Sequence, residues 1–125
     1  MSTRRPRSDA DRVGHIRGAA AEIAAIVAAG RETFDASSIH LRATERLLGI
    51  IGEATRCLSE EFVAARPALQ AHRARGMRNF LAHQYDDVDP QRVWDAATLS
   101  VPAFVEALDP PGVTSPAADS GGPDV

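Results

Sequence analysis

Apolar residues recur through the first half of the chain at helical spacing. Val13, Ile16, Ala20, Ile23 and Val27 fall at steps of 3, 4, 3 and 4 residues, one stripe of an amphipathic helix. Ser8 is placed to cap that helix, Asp9 and Asp11 put negative charge in its first turn, and Gly30 is placed to end it. A second stripe, Leu47, Ile51, Ala54 and Leu58, follows Ser37 or Ser38 as N-cap. Ser59-Glu60-Glu61 reads as a fresh cap opening a short helix ended by Pro67, and a further helix is predicted from about Ala68 to about His83. Asp89-Pro90 is a cap followed by a first-turn proline. It opens a last helix carrying Trp94, Ala97, Val101, Phe104 and Val105, with Pro102 inside the stripe and predicted to kink it. No segment alternates convincingly with period two. The pattern predicts an all-α fold, a four-helix bundle with a short extra helix.

The ends of the chain lack this periodicity. Residues 1–7 (MSTRRPR) carry three Arg and read as a flexible basic arm. Residues 109–125 hold Pro110, Pro111, Pro116 and Pro123 with three Gly, and after Leu108 only Val113 and Val125 are sizeable and aliphatic. Such a segment buries too little surface to offset its ordering entropy and is expected to be disordered. One helical domain over 8–108 remains. At 125 residues the chain has no room for separate cofactor and substrate lobes. It contains no apolar run near the ~20 residues that cross a bilayer and no hydrophobic leader, so it is read as cytoplasmic. The lone Cys57 excludes an internal disulfide and a cysteine-based zinc site.

Charge changes the picture. The net charge is −3, yet all 14 basic residues are Arg, and from Phe62 to Tyr85 there is no Asp or Glu. Arg66, Arg73, Arg75 and Arg78 sit in that stretch with His72 and His83. The guanidinium fork suits phosphate; the competing reading is a solvated face paired with carboxylates of neighbouring helices. Within it, Arg78, His83 and Tyr85 form R-x-x-x-x-H-x-Y, with Asn79 directly after the Arg. On an ideal helix Asn79 and His83 are neighbours, whereas Arg78 and His83 stand roughly 140° apart. The pair converges if the helix unwinds near His83, if the long Arg side chain swings across, or if a second subunit contributes. An imidazole can move the proton of a hydroxyl near neutral pH, and a guanidinium can neutralise charge building on phosphorus. RNA carries its own nucleophile, the 2′-hydroxyl, so the two groups suffice for transesterification without a metal. Taken alone, a His near a helix end is more often a capping or buried structural residue, and a Tyr there usually packs its ring.

The stretch Arg78 to Tyr85 resembles the signature of the HEPN superfamily, and its surroundings are similar to the HepT-like branch, the toxin of the HepT/MntA toxin–antitoxin pair. The resemblance is carried by Glu45-Arg46-Leu47-Leu48, Ile51-Gly52-Glu53-Ala54, Gly76-Met77-Arg78-Asn79 with His83 and Tyr85, Val88-Asp89 and Val93-Trp94-Asp95, in that order. It implies a HEPN-like, homodimeric helical bundle and a ribonuclease whose catalytic pair is Arg78 and His83, lying along the dimer interface. It further implies an MntA-like nucleotidyltransferase antitoxin as partner, transferring AMP to Tyr85. Here the block before Gly76 is Ala71-His72-Arg73-Ala74-Arg75, where relatives often carry an aromatic or aliphatic residue and an acidic one. Gln84 stands where relatives frequently have Gly. These departures bear on RNA preference more than on activity.

The sequence is therefore read as a ribonuclease toxin. Asn79 orients His83, Arg73 and Arg75 guide RNA, and no metal, other cofactor or membrane is involved. The rival from another class is a non-catalytic helical subunit that docks a nucleotidyltransferase; a third reading is a dimeric scaffold whose Arg residues make inter-helix salt bridges. Among the remaining residues, Gly76 inside a helix suggests close approach of another helix or a helix break. Glu53 is either exposed or paired with an Arg of the basic helix, Trp94 is assigned to the core, and Cys57 is expected to be buried. His15 and His40 are read as structural or exposed, and His72 as solvated.

Overall fold

The computed structural model describes residues 8–71 and 89–109. Among these residues every regular element is helical, in agreement with the all-α expectation. The elements are α1 (Asp9–Ala28), α2 (Arg31–Ala36), α3 (Ser38–Arg56), α4 (Glu60–Ala64), the helical residues 67–71 as α5, α6 (Pro90–Asp95), a π-helical turn (Ala96–Ser100) and α7 (Val101–Glu106). The last three follow one another without a break and form a single rod.

α1 starts where its sequence dictates. Ser8 Oγ accepts from the Asp11 N–H at 3.1 Å and the Asp11 carboxylate accepts from the Ser8 N–H at 3.2 Å, a reciprocal capping box. Ile16 and Ile23 of the predicted stripe are sealed from solvent, while Val13, Ala20 and Val27 flank them partly buried. Gly30 ends the helix: its N–H donates to Val27 O at 2.9 Å and its φ of 97° turns the chain through a region that glycine enters without strain. That turn leads into α2, which the apolar spacing does not announce. One residue anchors α2, Phe34, buried and tilted against Trp94 with ring centroids 5.1 Å apart.

Ser37 rather than Ser38 caps α3, its Oγ accepting from the Ile39 N–H at 3.1 Å. α3 buries Leu47, Leu48, Ile51 and Ala54 and packs along α1 as the principal helix pair of the bundle. Two threonines share that buried face. The Thr44 and Thr55 hydroxyls donate to the carbonyls one turn back, His40 O at 2.8 Å and Ile51 O at 2.6 Å, so neither is left without a partner.

Two sequence expectations change here. Cys57 is exposed, not buried: it is the C-cap of α3, one residue past the turn that faces the core. Pro67 does not end the short helix, which closes at Ala64 with Ala65 as C-cap. It is instead the first residue of α5, where a missing N–H costs nothing. Pro102 perturbs the last helix as expected, and the perturbation takes the form of the π turn just before it. Proline cannot donate to the carbonyl four residues back and its ring crowds that group; the backbone widens, and the Val101 N–H reaches back to Ala96 O. Across the wide turn Ala96, Ala97, Val101 and Phe104 stay buried.

A polar lock ties the start of α1 to the start of α4. Ser59, the N-cap of α4, accepts from the Phe62 N–H at 3.0 Å while its own hydroxyl and N–H donate to the Asp9 carboxylate at 2.6 and 2.9 Å. The Ser59 hydroxyl, and then its N–H, hold the Asp9 carboxyl below its ordinary value of 3.8, against the opposing effect of burial. A depressed folded-state pKa gives stability that is present above the unfolded value, about 3.9, and lost as pH falls through the folded one. Ser59→Ala is expected to cost about 1–2 kcal/mol in urea unfolding at neutral pH. The penalty of Asp9→Asn should be constant above about pH 5 and shrink on acidification; a penalty as large in acid as at neutrality would contradict the lock.

Candidate functional site

The residues singled out for chemistry, Arg73, Arg75, Arg78, Asn79, His83 and Tyr85, lie outside the described residues, as do His72 and Gly76. The structure does define the two anchors from which that segment departs and to which it returns.

The first anchor is Arg66, directly before α5. Its Nε donates to Leu108 O at 2.6 Å, its Nη1 donates to Phe62 O at 3.0 Å, and its guanidinium lies over the Phe62 ring, 3.5 Å from the centroid. One side chain thus satisfies a carbonyl at the end of α7 and another within α4, and stacks on an aromatic face. Three residues on, Leu69 is fully buried and seats α5 in the core. Sequence reasoning counted Arg66 with the basic cluster. The structure gives it a structural post, so the cluster available to a ligand is reduced by one. The absence of Asp and Glu around Arg66 gave no hint of this, because its acceptors are backbone carbonyls.

The second anchor is the start of α6. Asp89 caps it, accepting from the Gln91 N–H at 2.9 Å, with Pro90 in the first turn, as the sequence predicted. Val93 is fully buried beneath. Outside it runs a polar chain: Arg31 Nε grips both Asp35 oxygens at 2.9 Å, Arg31 Nη1 donates to Gln91 Oε1 at 2.9 Å, and Gln91 Nε2 donates to Asp95 Oδ1 at 2.8 Å. Arg31 also lies over Trp94, 5.6 Å from the ring centroid. Trp94 is therefore partly buried between Phe34 and Arg31, a packing position in keeping with its core assignment.

Glu53 is exposed and paired with Arg56 of its own helix at 2.7 Å, so its partner is local. His40 is half-buried with its Nδ1 sealed and unpartnered, and His15 is exposed. Among the described residues no group of three His, Cys, Asp or Glu is placed to hold a metal ion, and no helix is long and apolar enough to cross a membrane.

The chain matches the ribonuclease HepT-like family over residues 16–110, most of its length, and belongs to it. That span contains the R-x-x-x-x-H-x-Y segment and both of its anchors. A protein of Methanocaldococcus jannaschii named “Putative RNase MJ1216” is 35% identical over 67 residues, which cover 54% of this chain and 55% of that protein. The match thus spans about half the length of this curated relative. No solved structure matches the chain.

The Arg66 contacts carry a direct consequence. Arg66→Ala is expected to lower unfolding free energy by about 1–3 kcal/mol, the cost of leaving partly buried carbonyls without their charged donor. Arg66→Lys should recover only part of it, since an ammonium has neither the fork nor the flat face. Unchanged urea midpoints in both variants would show that the anchor holds nothing.

Proposed function

We propose that this chain is a ribonuclease toxin that cleaves RNA by metal-independent transesterification. Membership of the ribonuclease HepT-like family, over a span that includes Arg78, Asn79, His83 and Tyr85, is the observation that carries this reading. The name of the archaeal relative points the same way. Arg78 binds the scissile phosphate and neutralises the charge that develops on it in the transition state. His83 acts as general base or acid: the 2′-hydroxyl gives up its proton as O2′ attacks phosphorus, and the departing 5′-oxygen takes one up as its bond breaks. The product ends are a 2′,3′-cyclic phosphate and a 5′-hydroxyl. Asn79 holds the His83 ring in one tautomer, and Arg73 and Arg75 attract the RNA backbone.

In this reading the chain works as a homodimer. A partner copy answers the separation of roughly 140° between positions 78 and 83 on one helix, because two copies of the motif then border one cleft. Control falls to an MntA-like nucleotidyltransferase antitoxin that transfers AMP to Tyr85. Each added AMP places a phosphodiester, with one negative charge, within a few residues of Arg78 and His83, where it competes with the RNA phosphate and blocks its approach.

With bulk RNA in EDTA, Arg78→Ala and His83→Ala should each cut at least about 100-fold more slowly than the unaltered protein. Tyr85→Phe should cut normally yet escape restraint when a cognate nucleotidyltransferase is co-expressed. Equal cleavage by all of these proteins would discard the assignment of the pair.

A further inference from the structure

One face of the bundle stays open. Between α1 and the last rod runs an apolar groove with Ala20, Ala24 and Val27 on one wall and Ala97, Val101 and Val105 on the other. The single charged residue lining it is Arg17, and that charge is already matched: Arg17 Nη2 lies 3.1 Å from Asp109 Oδ1. Asp109 is the last described residue, so the chain leaves the bundle at the Arg17 end of the groove.

The sequence beyond that point suits the groove in three ways. Pro111-Gly112 is a pair that favours the centre of a reversing turn, proline presetting the first position and glycine allowing the second. The next six residues, Val113-Thr114-Ser115-Pro116-Ala117-Ala118, are uncharged and small, matching walls built largely of alanine and valine. Fully extended they reach about 20 Å, while α1 rises about 16 Å between Arg17 and Ala28. The first charge, Asp119, comes only after that length has been spanned.

We propose that residues 113–118 fold back into the groove between α1 and the last rod as an intramolecular strap, with the Arg17–Asp109 pair as its hinge. The tether from Asp109 is only a few residues long, so the local concentration of the strap at the groove is high and weak contacts suffice. Its role is to cover an apolar face that would otherwise promote adhesion between molecules. The proposal does not depend on what the chain does to RNA.

A spin label on the full chain tests it, in the background Cys57→Ser so that Ala117→Cys is the sole thiol. With Ala and Val methyl groups isotopically labelled, the signals of Ala24, Val101 and Val105 should vanish while the label is paramagnetic and return when it is reduced. Adding Val113→Asp should restore them without reduction. Both changes to the strap lie outside the packed core, and the remaining methyl signals report that the bundle is intact. A spin-labelled chain without isotopes, mixed with an isotope-labelled chain without spin label, should leave the groove signals unaffected. Groove signals that persist beside the paramagnetic label overturn the strap. Signals lost equally in the mixed sample assign the groove to a second copy and overturn it as well.

Discussion

Ile16 and Ile23 of α1 share one sealed core with Leu48 and Ile51 of α3, and the other elements take their places around that helix pair. α2 and α6 pack on α3, and the π turn and α7 pack on α1, so the last rod has no seat until the pair has formed. Removing one of these side chains to Ala would cost about 2–5 kcal/mol, a large part of what a domain of this size has in reserve. Surface ion pairs such as Arg31–Asp35 and Glu53–Arg56 add little to this. The polar contacts that matter are those that join elements: Asp9 with Ser59, and Arg66 with Leu108 O.

Those two contacts bear on function through placement. Arg66 and Leu69 fix where the chain leaves the core, and Asp89 and Val93 fix where it re-enters. The segment with the Arg, His and Tyr of the motif is strung between these posts, each tied to a helix that the α1–α3 pair holds. A family that keeps its chemistry in one short stretch needs such posts to be rigid, because a displacement of about 1 Å at a catalytic group can cost about 100-fold in rate.

Much of this was legible in the sequence because it rests on local rules. Ser8, Ser37, Ser59 and Asp89 cap helices because a short oxygen-bearing side chain at that position meets the free N–H groups of the first turn. The stripes of α1 and α3 follow from the helical period alone. Illegible were the features decided by distant partners. α2 is six residues long and depends on Phe34 meeting Trp94, sixty positions away. Arg66 looked like a cation awaiting an anion, since nothing local showed that its acceptors would be backbone carbonyls. Cys57 was assigned to the interior by residue type, whereas its place one step past the end of α3 turned it outward. For the site, the motif's spacing and its flanking blocks carried the family, which the match over residues 16–110 establishes; spacing alone left three ways for Arg78 and His83 to converge.

The chemistry of the cut ends tests the account most directly. If His83 and Arg78 work on the 2′-hydroxyl and the adjacent phosphate, every fragment released from a defined RNA by the purified protein carries a 2′,3′-cyclic phosphate on one side of the break and a 5′-hydroxyl on the other. Fragments ending in a 3′-hydroxyl and a 5′-phosphate require water, not the ribose, as the nucleophile, and would contradict it.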